Sequence, residues 1–465
     1  MLETAIHDKC GIFAAIGTRD AAKLTYFGLY SLQHRGQESA GIVSSDRGVF
    51  HMRKGMGLVN SVFGDPETLA SLSGDIAMGH TRYSTTGSSA ATNIQPFLVT
   101  NKRRKLAIAH NGNLTNSHTL RTRLESQGSI FQTTSDTEII LHLVAKSPKT
   151  KTVDAISDAL KKTQGAYSLL FMTENSIIAA RDPYGFRPLA LGKFRKGYVV
   201  ASETCAFDLV GAKYVRDIEP GEILEIRPRG LESIKPFKSV PSAHCIFEYV
   251  YFARPDSKIF GENVDKIRRR LGRQLAIEHP ANADIVIGIP DSANTAALGY
   301  SEQSGIRFEI GLIRNHYVGR TFIDPEQKIR DLDVRVKFNP VSGVLRGKRI
   351  ALVDDSIVRG TTARKLVQLM RDAGAKEIHF RSSSPPLISP CHYGIDMPTK
   401  DELIASTKSV EEIRRFLGVD SLGYLSVKGM LNLSALPKNA SYCAACFTGK
   451  YPTSVEKRNG KLRLE

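Results

Sequence analysis

The sequence predicts an α/β protein in two units, the second built on a parallel, doubly wound sheet. Three observations carry this. The chain has 465 residues, enough for two or three domains with substantial cores. Short apolar runs recur along it, and in the second half helix-length segments separate them, as crossovers between parallel strands require. A basic, proline-flanked stretch, residues 227–241, reads as the linker between the halves.

Composition narrows the class. Hydrophobic residues make up 41% and charged residues 24%, ordinary values for a globular protein. No apolar run is long enough to span a bilayer, and the start lacks a signal peptide's apolar region, so a cytoplasmic protein without a membrane partner is expected. The net charge of +17 raises the question of nucleic acid. Lys and Arg are spread along the whole chain, however, and the densest cluster, Lys102-Arg-Arg-Lys105, reads as a solvated turn. A polyanionic substrate accounts for the charge equally well, and no nucleic-acid partner is expected. Six cysteines in so long a chain form no disulfide framework and are candidates for catalysis or metal binding.

Taken in order, residues 1–9 are unpatterned. Cys10-Gly-Ile-Phe-Ala-Ala-Ile-Gly17 then alternates as a core strand does. Tyr30-Ser-Leu-Gln-His-Arg-Gly-Gln-Glu-Ser-Ala-Gly41 reads as a helix end, a loop and a second strand. Gly79-His-Thr-Arg82, His110-Asn-Gly-Asn113 and Thr134-Ser-Asp-Thr-Glu138 each fall at the end of an element, where functional side chains collect. Asn111-Gly112 also has the composition of a type I′ hairpin turn. Strands follow at 167–172, 176–180 and 197–201, and Cys205 has no partner at any spacing, which assigns it to the core.

In the second half, strands are expected at 284–289, 308–313, 349–353 and 376–380. The strand at 349–353 ends in Asp354 and Asp355, followed by Ser356, Arg359, Gly360, Thr361, Thr362 and a helix at 363–373. Ligands of open α/β sheets bind beyond the carboxyl ends of the strands. A small polar loop entering a helix presents free N–H groups to phosphate, and adjacent carboxylates suit sugar hydroxyls with Mg²⁺. The pattern asks for a phosphorylated sugar with a metal.

Val353-Asp-Asp-Ser-Ile-Val-Arg-Gly-Thr-Thr362 resembles the phosphoribosyl pyrophosphate (PRPP) signature of the type I phosphoribosyltransferases. Cys10-Gly, Gln33-His-Arg-Gly-Gln37, His80-Thr-Arg82, His110-Asn-Gly-Asn113 and Ser135-Asp-Thr-Glu138 together resemble the glutaminase domain of the N-terminal-nucleophile amidotransferases. In this order they resemble the glutamine PRPP amidotransferase family. That resemblance implies an α+β glutaminase sandwich (αββα) over residues 10–240, followed by an α/β type I phosphoribosyltransferase domain over 241–465. It implies formation of 5-phosphoribosylamine from glutamine and PRPP, the first committed step of purine synthesis.

Site roles follow from the same resemblance. Cys10 is the nucleophile, Asn111 and Gly112 form the oxyanion hole, Arg82 takes the glutamine carboxylate, Asp136 its ammonium, and Arg35 orders the site. An amine at the nucleophile's own residue would serve as base, which requires Cys10 to be the first residue and makes 1–9 a propeptide. Ser292, Asp354 and Asp355 surround Mg²⁺, and Ser356, Arg359, Gly360, Thr361 and Thr362 cradle the 5-phosphate. Arg320 and Lys328 meet the pyrophosphate from a closing loop, in which His316 stands where a basic arginine is expected. Cys443-Ala-Ala-Cys446, with Cys245 and Cys391, suits Zn²⁺ or an iron–sulfur cluster by spacing. The strings around Cys391 and Cys443 resemble the subclass with a propeptide and a [4Fe–4S] cluster. The resemblance also implies AMP- and GMP-type feedback and a homo-oligomer, dimer or tetramer. Two rivals stay open: another glutamine amidotransferase sharing only the first domain, and a non-catalytic PRPP-sensing regulator.

Overall fold

The computed structural model describes residues 10–83, 90–101, 104–315, 336–432 and 440–455. Residues 1–9 and the positions of His316, Arg320 and Lys328 lie outside them. The first half contributes β1 (Gly11–Ile16), β2 (Ser39–Asp46), β3 (Val49–Met56) and β4 (Ile76–Arg82). Next come β5 (Phe97–Thr100), β6 (Lys105–Leu114), β7 (Gly165–Met172) and β8 (Ile177–Arg181). Then follow β9 (Ala190–Phe194), β10 (Gly197–Ala201), β11 (Lys213–Asp217), β12 (Ile223–Arg227) and β13 (Gly230–Ile234). They form two antiparallel sheets, ordered β11-β9-β10-β1-β4-β2-β3 and β13-β12-β8-β7-β6-β5.

Strand period decides which layer each residue joins. Successive side chains of a strand point to opposite faces. On β1, Ile12, Ala14 and Ile16 enter the core between the sheets with Ala107, Ala109, Leu170 and Met172. Phe13 and Ala15 face the other way, into a core roofed by the helices Ala21–Ser31 and Cys205–Val210. Leu106, Ile108, Leu169 and Phe171 likewise turn outward, under the helices Ser117–Ser126, Asp136–Lys146 and Thr152–Leu160. The result is the four-layer αββα sandwich, and Cys205 is buried in one of its outer cores.

The second half carries a four-stranded parallel sheet in the order Ile285–Gly288, Arg349–Asp354, Glu377–Ser382, Ser421–Tyr424. Val286, Ala351 and Val353 pack toward the helices Val264–Glu278 and Asn294–Ser304. Ile287, Leu352, Ile378 and Phe380 pack toward Thr361–Asp372 and Val410–Leu417. Both faces are covered, as parallel sheets require.

One alternative is ruled out and three expectations are corrected. Asn111-Gly112 is no hairpin turn: β6 runs through it, paired with Ser168 and Tyr167 of β7. The expected strand 308–313 reduces to one bridge at Phe308 and a short strand Leu312–Arg314 paired with Phe338–Pro340. Gly311 lies so close to Ile287 that a Cβ there would fall 2.2 Å from its side chain. Much of the linker 227–241 is the β12–β13 hairpin, because Gly230–Ile234 completes an edge of the second sheet. Arg104 is not solvated; it is buried and donates to the carbonyl oxygens of Val144 and Lys149.

The halves are sewn together at strand Ser242–Cys245. Ala243 N–H donates to Tyr184 O (2.7 Å) and Cys245 N–H to Phe186 O (3.0 Å), while the strand's other edge pairs in parallel with Ala440–Cys443.

At Gly28 an added Cβ would meet the buried Phe13 ring at 2.3 Å. Overpacking a core costs about 1–3 kcal/mol; the better helix propensity of alanine returns about 1 kcal/mol. Gly28→Ala is therefore expected to lower the denaturant midpoint, and Phe13→Leu in that background to recover part of the loss. An unchanged midpoint in Gly28→Ala would refute the packing.

Candidate active sites

Cys10 stands just before β1, where Gly11 pairs with Thr81 of β4. Its S–H donates to Tyr83 O at 3.7 Å. Burial pushes the thiol up to about 11, with Arg82 pulling down and Glu38 and Asp136 pushing up. These four side chains thus share one electrostatic neighbourhood. Arg82 Nη1 donates to Glu38 Oε1 at 2.6 Å, so the guanidinium stands beside the thiol with a carboxylate already on it.

Asp136 opens the helix Asp136–Lys146, with Ser135 as its cap. It accepts Leu114 N–H at 2.8 Å and lies 3.5 Å from His110 Nδ1. Burial alone would raise its pKa; the charge and hydrogen bond of His110, with Leu114 N–H, hold it below the usual range. His110 also ties the sheets together, its carbonyl accepting His80 Nε2 at 3.1 Å.

Next to it, the Asn111 amide is buried with neither its oxygen nor its nitrogen paired among the described residues. Leaving such a group unpaired costs about 1–3 kcal/mol, so the position is poised for a ligand. At Gly112 a Cβ would fall 2.0 Å from Ala166 O, which only glycine avoids.

Arg35 takes a different place from the other predicted residues. Its Cβ packs near Gly11, and its guanidinium is engaged by Glu203 and by Glu248 Oε2 (2.5 Å). All three side chains are fully buried.

The second site is a cleft of about 760 Å³ at the carboxyl end of the parallel sheet. Asp354 and Asp355 stand in it beside Ser356, Arg359, Gly360, Thr361 and Thr362. Ser292 Oγ donates to Asp355 Oδ2 (2.5 Å) and Ser356 Oγ to Oδ1 (2.7 Å). Burial raises both carboxyls, and their mutual repulsion raises Asp354 further. Gly360, at φ 73°, turns the loop into the helix Thr361–Asp372, whose first N–H groups have no helical acceptor. Arg359 reaches Glu402 at 2.6 Å. His34 and Gln37 of the first half line the same cleft.

Cys245 and Cys443 face each other on paired strands, Cys446 follows in the turn Ala445–Thr448, and Cys391 accepts Tyr393 N–H at 3.3 Å. None is in a disulfide. Burial raises all four thiols, Cys446 also feels the other three, and Arg187 lowers Cys245 and Cys391. Among the described residues no three His, Cys, Asp or Glu side chains form a group that could hold a metal ion as they stand. Ligation here requires these thiols to lose their protons. As a donor set, four mutually interacting thiols, with the Arg187 guanidinium beside them, have the chemistry of a thiolate-bound cluster.

Sequence reasoning assigned no role to Glu38, Glu203, Glu248, Arg187 or His34. Glu248 left one signal: it is the sole carboxylate in the apolar run Cys245-Ile-Phe-Glu-Tyr-Val-Tyr-Phe252.

Residues 80–208 match a family model described as a glutamine amidotransferase domain. The chain is 50% identical over 454 residues to an amidophosphoribosyltransferase of Bacillus subtilis, covering 97% of this chain and 95% of that one. It is 51% identical over 465 residues to an amidophosphoribosyltransferase of Methanocaldococcus jannaschii, covering 96% and 98%. Among solved structures, the glutamine PRPP amidotransferase of B. subtilis complexed with ADP and GMP is similar at a TM-score of 0.92 and 50% identity, over 97% of this chain and 99% of that one.

Since the thiol stays protonated to about pH 11, alkylation of Cys10 by iodoacetamide in the 465-residue chain should climb with pH through 8–10 without a plateau. A plateau below pH 9, read by peptide mass spectrometry, would contradict that environment.

Proposed function

The chain belongs to the amidophosphoribosyltransferase family, and from that premise we propose that it hydrolyses glutamine at Cys10 and passes the ammonia internally to PRPP. The products are glutamate, pyrophosphate and 5-phosphoribosylamine, the first committed step of purine synthesis. The observation that carries this is the shared cleft: His34 and Gln37 of the glutaminase half line it together with Asp354, Asp355 and the loop to Thr362. A full-length match also disfavours a rival that shares only the first domain.

Cys10 attacks the glutamine amide, a thioester forms, ammonia leaves and water releases glutamate. A thiol held near 11 needs a base beside it. We assign that role to the amine of Cys10 itself, freed by removal of residues 1–9. Arg82 exchanges Glu38 for the substrate carboxylate, and Asp136, ionised and buried, takes the ammonium. The unpaired Asn111 amide and the Gly112 N–H receive the oxyanion.

In the second half-reaction, ammonia forms the bond to the anomeric carbon as the bond to pyrophosphate breaks. The N–H groups at the start of the helix Thr361–Asp372, with Ser356, Arg359, Gly360, Thr361 and Thr362, hold the 5-phosphate. Asp354, Asp355 and Ser292 would hold Mg²⁺, whose charge offsets that of the pyrophosphate. Two adjacent carboxyls whose pKa values are both raised suit a cation that displaces their protons. Arg320 and Lys328, which lie outside the described residues, are assigned to the pyrophosphate by their charge.

Cys245, Cys391, Cys443 and Cys446 would hold a [4Fe–4S] cluster, whose part would be to cross-link the segments carrying them; neither half-reaction moves electrons. The division at 240/241, control by AMP- and GMP-type nucleotides, assembly as a dimer or tetramer, and a cytoplasmic site of action complete the reading. The ADP and GMP held by the B. subtilis relative support the nucleotides.

Anaerobic protein should release glutamate only with PRPP present, with equal pyrophosphate, and Asn111→Ala should lower the glutaminase rate by about 10²–10³. Glutamine consumption indifferent to PRPP, without pyrophosphate, would reject the reading. N-terminal sequencing of that active protein should begin at Cys10; a fully active chain beginning at Met1 would remove the propeptide. Iron and sulfide should be found in equal amounts, and zinc in their place would remove the cluster.

A further inference from the structure

The buried carboxylate of Glu248 stands where three parts of the molecule meet. It opens a single π-type turn, Glu248–Phe252, three residues after Cys245. Its Oε2 accepts Arg35 Nη2 at 2.5 Å and its Oε1 accepts Arg187 Nη1 at 3.3 Å. Both arginines come from the first half, and all three side chains are fully buried.

Each arginine ends on a different side of the glutaminase site. Arg35 packs its Cβ near Gly11, the residue after the nucleophile. The next residue, Gly36, lies flat on Thr81–Arg82, where an added Cβ would meet their backbone at 2.6–2.8 Å. Arg187 donates through Nε (3.0 Å) and Nη2 to Tyr393 O. Tyr393 stacks on Phe186 with ring centres 4.1 Å apart. Beside it, His392 O accepts Asn113 Nδ2 at 2.9 Å, and a Cβ on Gly394 would meet the Gly112 backbone at 2.7 Å. One arm therefore reaches the thiol's strand, and the other the strand of Asn111 and Gly112.

The residues that follow Glu248 form a wall of the PRPP cleft. Tyr251, Phe252, Ala253 and Arg254 line it. Buried Arg268, itself at the cleft, holds this turn by donating to Tyr249 O (2.7 Å), Tyr251 O (2.8 Å) and Ala253 O (2.8 Å). Arg254 N–H donates to Glu203, which also binds Arg35.

We propose that Glu248 is a positioning residue that couples the two half-reactions: a shift of the cleft wall on PRPP binding is carried through its carboxylate to Arg35 and Arg187, and so to the nucleophile and the oxyanion strand together. Buried as they are, two guanidiniums cannot part from their shared counter-ion at small cost, so the three groups move as one. This rests on the activity proposed above and adds to it the residue through which the sites communicate.

The test is Glu248→Gln, which keeps shape and removes charge, assayed beside wild type for glutamate, for pyrophosphate, and for phosphoribosylamine formed from added ammonium. The stimulation of glutaminase by PRPP should fall about fivefold or more, within the range of typical coupling factors. Glutamate should then exceed pyrophosphate, while the ammonium-dependent reaction is retained. Should Glu248→Gln not fold, Arg187→Met with Glu248→Gln removes the unpaired charge and takes its place. A folded double variant still unresponsive to PRPP supports the proposal. Wild-type stimulation with equal products in either variant overturns it, as does loss of the ammonium reaction in parallel with the glutaminase. Absence of pyrophosphate from the wild type would instead reject the activity itself.

Discussion

The structure turns on a chain of buried ions, Glu203–Arg35–Glu248–Arg187, closed at one end by Tyr393 O and met at the other by the half-buried imidazole of His34. Taking a carboxylate and a guanidinium out of water costs several kcal/mol per ion, and removing one partner from such a pair typically costs about 3–5 kcal/mol. The arrangement persists only while each charge keeps its counter-charge. Because Glu248 belongs to the second half and both arginines to the first, the halves cannot separate without stranding charge. The seam at Ser242–Cys245, with Tyr184 and Phe186 on one edge and Ala440–Cys443 on the other, adds backbone hydrogen bonds to the same junction.

Each site is placed by the period of the element that carries it. β1 and β4 bring Cys10 and Arg82 to one end of the first sheet, and β6 brings Asn111 and Gly112 alongside through the His80–His110 link. In the parallel sheet all strands end at one edge, so Asp354, Asp355 and the loop to the helix Thr361–Asp372 open into a single cleft. The ion chain lies between these two places, and the amidotransferase reading needs that geometry: a nitrogen released at one site is used at the other.

Much of this was legible in the sequence, because local order and local chemistry coincide in the motifs. The paired acids, the Gly360 turn and the helix behind it are consecutive residues, and the alternation in β1 reports its two faces directly. The fold class is likewise borne out, in the sandwich and the covered parallel sheet. What the sequence hid was long-range charge pairing. Glu203 and Glu248 meet Arg35 across 168 and 213 residues, and no spacing rule reports such a contact. The hairpin reading of Asn111-Gly112 failed for a related reason: pairing along β7 overrode the dipeptide's turn preference. Residues 308–313 read as one strand because they are largely apolar, yet Phe308 alone bridges to Val286 and Leu312–Arg314 pairs instead with Phe338–Pro340.

The central claim is that one continuous interior joins two chemistries. Isotope competition tests it most directly: glutamine labelled with ¹⁵N at the amide is turned over with PRPP in excess unlabelled ammonium, at a pH where free ammonia is scarce. The account predicts phosphoribosylamine carrying the label at nearly the enrichment of the glutamine supplied. Product diluted to the isotopic ratio of the bulk ammonium would show nitrogen reaching the sugar through solvent, and would contradict it.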